Sequence, residues 1–520
     1  MFYQNPHSRQ QKRIFKINFI RHLFIMISKI VILLLLPPLV LFTAPSVAQQ
    51  LSTADSIDVF LKAKMQQRHI PALQIAVIRG SKIIKDTTFG VANLEYSIKA
   101  TNQSLFTINS ITKAFTGVAI MQLAEEGKLK ITDPLSKYLD SLPQTWRNIT
   151  LQQVLTHTSG LPDLLDAEEQ VMGHGDEQEA MQKVKALPME FKPGEKFSYN
   201  QTGYVLLGQI ITRLSGMHFT RFIEERQFKV AGMKLARYGD SYDVIPGYAG
   251  AYTMTRQVGD RFVINSSPGI SYIQFPVFFR TAAGIISTAT DMANWIIALK
   301  GGKLLKPSSI DVLWTPAILN NGKIGGFDLL TNGYALGWPT VTRSEHPAVG
   351  PVGGRRSALF IYLKDDLSIV VLTNLLGGDP QKFIDEIAGY YLPDMHEANG
   401  FDLPANLKKL RAELIKQGFD KAPAVASGLK KKDPAFQLNE SELNGWGYQL
   451  LGQKNIKAGL AIFKLNAVLY PQSSNVFDSL AEALEMMEDN PGALANYKKS
   501  LALDPKNKHA AERMQALANK

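Results

Sequence analysis

The chain has 520 residues, 45% hydrophobic and 20% charged, which is too long for one compact core and too apolar for wholesale disorder. Its net charge of +11 falls to +5 once residues 1–48 are set aside, because Arg9, Lys12, Arg13, Lys16, Arg21 and Lys29 sit there without a single acidic residue. That balance, with no basic patch interleaved with aromatics, argues against a nucleic-acid partner. The absence of cysteine excludes disulfides, thiolate metal sites, a cysteine nucleophile and a lipid-bearing cysteine.

The basic start leads into the apolar run Ile30–Phe42 and then Ser46-Val47-Ala48 before Gln49. This order predicts a signal peptide over residues 1–48 and a protein exported to the periplasm or the extracellular space. The run is interrupted by Pro37-Pro38 and is short against the ~20 residues of a membrane span. Because Phe15–Leu36 extends the apolar character upstream, an uncleaved membrane anchor is the alternative.

Next comes a helical pattern over Thr53–Met65, then the β-rich runs Ala72–Ile78 and Lys82–Thr88 on either side of Arg79-Gly80-Ser81, a hairpin signal. Residues 89–300 read as helical stretches and loops, and strands return at Ser357–Leu363 and Leu367–Thr373. Strands at both ends with helices between them predict an α+β fold, an antiparallel sheet completed by the two ends and flanked by helices, over residues 49–395.

Residues 396–440 read as a helical linker, with a charged helix at 404–418 and a linking stretch at Lys421–Glu440. Beyond it, Leu460 and Leu494, Ala461 and Ala495, Phe463 and Tyr497, Leu469 and Leu503, and Pro471 and Pro505 are each 34 residues apart. That period and the closing prolines resemble tetratricopeptide repeats over residues 441–520, an all-α segment suited to a protein partner. Two visible repeats are fewer than a free-standing array needs, so they are expected to pack on the 404–418 helix or on the catalytic domain.

Chemistry is carried by Ser110-Ile111-Thr112-Lys113. A serine hydroxyl needs a base to take its proton, and a lysine can serve when desolvation holds it neutral. Spacing of three puts both on one helix face. Ile111, Ala114, Phe115, Val118, Ala119 and Leu123 form the apolar stripe, Gly127 ends the helix, and Thr107 or Asn109 can cap it. A second Ser-x-x-Lys, Ser427 to Lys430, opens no apolar-periodic helix and is read as chance.

The segment Phe106–Thr116 closely resembles the nucleophile segment of the serine β-lactamase and penicillin-binding-protein superfamily, the class C β-lactamase-like branch in particular. Leu155–Pro162 is similar to that branch's usual loop and Phe197–Tyr204 to its second catalytic motif, with further matches at Thr281–Trp295 and Tyr334–Trp338. The resemblance implies that Tyr199 works as a general base with Lys113, pulled toward phenolate by the lysine. It also implies that Gln201, standing where relatives carry Asn, hydrogen-bonds a substrate carbonyl. In the third motif Pro351 replaces the usual Lys or His. Gly353 and Gly354 remain, and a backbone N–H beside them would share an oxyanion hole with that of Ser110. Arg355 or Arg356 is the cation placed to replace the lost one, since an alternating strand points only one of them inward. His346, five residues upstream, would need a change of path to serve and reads as a loop histidine, and His157, Trp295 and Trp338 read as structural. The implied activity is a serine hydrolase acting through an acyl-enzyme on a small-molecule or peptide substrate: a D-amino-acid peptide, an ester or a β-lactam. Pro351 ranks esterase or peptidase activity above β-lactam hydrolysis. The alternative is a catalytically weakened scaffold that binds a protein through its repeats. No metal-ligand spacing, P-loop or dinucleotide fingerprint is found, so no cofactor is expected.

Overall fold

The computed structural model describes residues 53–518 except 167–169, 259–260, 273, 397–399 and 402; the expected export segment lies outside the described residues. The chain runs through α1 (Thr53–Arg68), β1 (Ala72–Arg79), β2 (Lys82–Asn93), α2 (Thr112–Glu125) and α3 (Thr202–Ser215). It continues through β3 (Tyr252–Val258), β4 (Arg261–Ile270), α4 (Ala289–Lys300) and β5 (Pro339–Val341). The strands β6 (Ala348–Val349), β7 (Val352–Gly353), β8 (Ser357–Tyr362) and β9 (Leu367–Thr373) complete the sheet. Gly80 adopts φ +61, as the two-residue turn between β1 and β2 requires.

The two ends of the domain meet at the centre of an antiparallel sheet, in the order β2-β1-β9-β8-β6-β5. Ile75 stands opposite Val371, and Phe360 opposite Ile369. Both faces of β1 are covered, which explains its unbroken apolar run. Ala76 and Ile78 point into a large core with Phe115 and Val118 of α2, Leu207 of α3 and Trp295 of α4. Leu73, Ile75 and Val77 point the other way, onto Ile57 and Leu61 of α1 and onto Ile384 and Ile387. The helix–sheet–helix layering follows from these two faces.

Helix α2 is buried from Thr112 to Leu123 on all sides, a central helix where the sequence pattern predicts an amphipathic one. Gly127, at φ +71, ends it as expected. Its start differs from expectation. Ser110 lies in a 3₁₀ turn, Asn109–Ile111, and neither Thr107 nor Asn109 caps it. The Asn109 side chain instead reaches the carbonyl of Gly353, 3.5 Å away. The β3–β4 pairing interrupts a region expected to be helices and loops.

The C-terminal region is all helical: α5 (Ala405–Gln417), α6 (Ala422–Lys432), α7 (Glu440–Gly452), α8 (Ile456–Leu469), α9 (Ser474–Met486), α10 (Asn490–Leu503) and α11 (Lys508–Ala518). Helices α7, α9 and α11 start 34 residues apart, as do α8 and α10, so the sequence period is a structural one. The stretch expected to link, 421–440, contains α6. Leu407 and Leu414 of α5 and Val425 of α6 share a core with Trp446 of α7 and Ile462 of α8. The repeats therefore pack on the 405–417 helix, where two repeats alone would lack a partner. Ser427 and Lys430 lie on α6, Ala422–Lys432.

Candidate functional site

Ser110 opens onto a cleft of 340 Å³ whose walls include Tyr199, Phe327, Tyr334, Pro339, Pro351, Val352 and Gly354. The close approach of β7 to the serine turn shapes one side. A Cβ on Gly353 would lie 1.9 Å from the carbonyl oxygen of Ile108, and one on Gly354 would lie 2.4 Å from Nδ2 of Asn109. Both positions are therefore held to glycine by backbone packing beside the nucleophile. Gly353→Ala is expected to cost ~1–3 kcal/mol or more through overpacking and to lower turnover with it, read as a fall in Tm and in kcat together. An unchanged Tm would refute the close approach.

Lys113 sits one turn beyond Ser110 and is 1% exposed. Its Nζ donates to Oε1 of Gln201 at 2.8 Å and to the carbonyl of Ala282 at 2.9 Å. It also lies 4.7 Å from the ring centroid of Tyr199 and 5.2 Å from that of Tyr204. Burial lowers its pKa to about 7, against a smaller opposing pull from Asp163. A neutral amine has two N–H bonds and one lone pair. Both N–H bonds are taken by the two acceptors, so deprotonation leaves a lone pair free to accept a proton.

Tyr199 lines the cleft beside Ser110. Its pKa moves opposite to the expected direction. Burial pushes the phenol well above its ordinary value, the neighbouring Ser110 hydroxyl opposes this and Asp163 adds to it. Desolvation penalises the phenolate more than any neighbour rewards it, so Tyr199 is a neutral phenol.

His157, read as structural, is 1% exposed and adopts φ +56. Its carbonyl accepts the N–H of Ser198 at 2.9 Å and its Nδ1 accepts the N–H of Asn200 at 3.1 Å. Its ring lies 4.4 Å from that of Tyr199. One histidine thus holds the chain on both sides of the tyrosine. Burial, then the Lys113 charge, keep its pKa well below the ordinary range, so the ring is neutral.

Gln201 is buried; its Oε1 accepts from Lys113 at 2.8 Å and its backbone N–H donates to Asp163 at 3.0 Å, which leaves the side-chain N–H groups without a partner among the described residues. One expectation is corrected, that of a replacement cation. His346 lies away from the cleft, between Asp365 and Asp394 at 2.9 and 3.0 Å. Arg355 does line the cleft, but its guanidinium is bidentate on Asp379, at 2.8 and 3.0 Å, while Arg356 is buried against Ser271. Neither arginine offers a free cation where Pro351 removed one. The other charged wall residue, Asp328, is held by N–H groups of Leu330 and Thr331 and by the Thr331 hydroxyl. Trp295 and Trp338 are fully buried and stacked at 5.7 Å, as packing residues.

Asp163 was not legible as a site residue. It is held by the N–H groups of Gln201 and Leu165, and burial raises its pKa despite them. Among the described residues no cluster of His, Asp and Glu could hold a metal, and no helix is long and apolar enough to cross a membrane.

The sequence profile of the family described as Beta-lactamase matches residues 57–389. A Staphylococcus aureus (strain MW2) protein, Flp, is 27% identical over 343 residues, covering 64% of this chain and 65% of its own length, so the chain spans just under two thirds of that relative. A penicillin-binding protein from Bacillus halodurans superposes with a TM-score of 0.51 at 26% identity, covering 63% of this chain and 98% of that one. The D-amino acid amidase of Ochrobactrum anthropi SV3, complexed with L-phenylalanine amide, gives a TM-score of 0.57 at 19% identity, covering 66% and 100%. At that identity the likeness is one of fold.

Proposed function

The chain belongs to the beta-lactamase family, and from that premise we propose that it is a serine hydrolase that forms an acyl-enzyme on Ser110 and favours esters or amides with uncharged groups around the scissile bond. The observation that carries this reading is the cleft that Ser110 shares with Tyr199, with the low-pKa amine of Lys113 4.7 Å from the centre of the phenol ring.

In the first step the Ser110 Oγ–H bond breaks as Oγ bonds the substrate carbonyl carbon. The proton passes through the Tyr199 hydroxyl to the neutral amine of Lys113. The carbonyl oxygen becomes an oxyanion beside the N–H groups of Ser110 and the Gly354 turn, donors of a kind worth ~10²–10³ in rate. Collapse expels the alcohol or amine, which takes the proton back along the same path. Water then repeats the cycle and releases the acid. Gln201 holds Lys113 through its Oε1, which leaves its side-chain N–H groups to donate to a substrate carbonyl, and Gly353 permits the close approach of β7.

Substrate preference follows from the walls. Phe327, Tyr334, Pro339, Pro351 and Val352 are apolar or aromatic, and the two charged wall residues are already engaged. A substrate carboxylate would lose its water there without gaining a free cation. The test is a fluorophosphonate adduct located by mass spectrometry on the Ser110 peptide, together with kcat/KM on p-nitrophenyl butyrate and nitrocefin. The reading predicts an adduct that Ser110→Ala abolishes and a preference for the neutral ester. An unlabelled folded protein refutes the nucleophile; nitrocefin turnover exceeding that of the ester refutes the preference.

We also propose that residues 1–48 direct export and that the 34-residue helical units are tetratricopeptide repeats; the basic-then-apolar order of the first and the helix spacing of the second support these readings. Export predicts a secreted form beginning at Gln49, which N-terminal sequencing checks.

A further inference from the structure

A second cavity, of 500 Å³, lies beside the catalytic-type cleft, with Phe60 of α1, Leu330, Gln381, Tyr390, His396 and Gln449 of α7 among its walls. Two features join it to the cleft. Gln381 lines both. The 327–331 loop gives Phe327, Asp328 and Thr331 to the cleft and Leu330 to the second cavity.

The charges in the second cavity are already matched. Glu386 pairs with Lys64 at 2.8 Å, Lys382 with Asp379 at 3.1 Å, and Asp385 takes both Arg343, at 2.8 Å, and the Tyr362 hydroxyl, at 2.7 Å. What it offers a ligand is therefore the Gln449 amide, an imidazole and aromatic rings; the Gln381 amide donates to Asp379 at 3.4 Å. An amide between aromatic walls, without a free charge, suits the backbone and apolar side chains of a peptide.

We propose that the two cavities form one groove for an extended peptide substrate, running from Ser110 past Gln381 to Gln449. On this view α7 completes the groove, so the C-terminal helices take part in choosing the substrate. This assignment rests on the hydrolase reading above. It differs from a repeat region that merely recruits a partner, because here the α7 side chain faces the same bound chain as the nucleophile.

Two measurements test it. The first is kcat/KM for p-nitrophenyl butyrate against that for peptide thioesters lengthened from one to five apolar residues on either side of the scissile bond. The longer substrates should gain, mainly through KM, and Gln449→Trp, which projects an indole into the second cavity, should cut the long-to-short ratio by ~10-fold, the scale of one lost amide contact with its packing. The second is the binding of fluorescein-labelled pentapeptides of the same residues to the full-length Ser110→Ala protein, with and without Gln449→Trp, read by anisotropy. Binding weakened by the indole supports the groove even where no turnover is seen. A failure of butyrate turnover alone counts against the nucleophile and not against the groove. Length-independent kcat/KM, or pentapeptide binding indifferent to Gln449→Trp, overturns the proposal.

Discussion

Lys113→Met is expected to lower kcat/KM by ~10²–10⁴, the usual worth of a general base, while leaving a folded protein of higher Tm. Methionine keeps the length and volume of the side chain and removes a buried amine. The pH dependence separates this from a simple loss of shape. With a pKa held at about 7, chiefly by burial, the amine in the native protein is cationic below that value and a base above it. Wild-type kcat/KM should therefore rise along a limb centred near pH 7, and the variant's residual activity should lack that limb. The stability effect has a definite sign. Between about 7 and the ordinary lysine value of 10.5 the unfolded chain keeps a proton that the native state has released, so wild-type stability increases with pH across that window. Below it both states are protonated and the full cost of the buried cation is present. The Tm advantage of Lys113→Met should be greatest and flat below pH 7 and shrink toward pH 10. A pH-independent Tm difference, or a variant with wild-type kcat, would remove Lys113 from the mechanism.

The parts of this site that a sequence reader could see are the local ones. Ser110 and Lys113 are three residues apart, and the buried run from Thr112 to Leu123 supplies the helix that carries Lys113, with Ser110 in the 3₁₀ turn at its start. The hairpin at Gly80 and the paired β8 and β9 were equally plain, because period, turn residues and β-branched runs all lie within short windows. What stayed hidden depends on distant partners. Nothing near Arg355 announces that Asp379 will neutralise it, and nothing near Gln201 announces that its Oε1 will hold Lys113. The direction of the Tyr199 shift was misjudged for the same reason: its lysine neighbour could be guessed, but the depth of burial that outweighs it could not.

Tyr199→Phe should remove the hydroxyl proposed to relay the proton from Ser110 to the amine and cost ~10²–10⁴ in kcat, with KM moved far less. The phenol acts only where it is held, and His157 is what holds it, through Ser198 on one side and Asn200 on the other. His157→Phe keeps an aromatic ring beside Tyr199 but loses the Nδ1 acceptor, so it should lower kcat severalfold or more as the Asn200 N–H is left unpaired. His157→Asn should recover most of that loss. Asparagine tolerates the positive φ that the position demands, and its Oδ1 can stand in for Nδ1. The Asn variant also decides which group titrates. The imidazole is held neutral by its burial, whereas the amine changes charge near pH 7, so the acid limb of kcat/KM should survive His157→Asn at the same pH. If that limb disappeared with the imidazole, His157 and not Lys113 would be the group that loses the proton, and the path from Ser110 through Tyr199 would have to end on the ring.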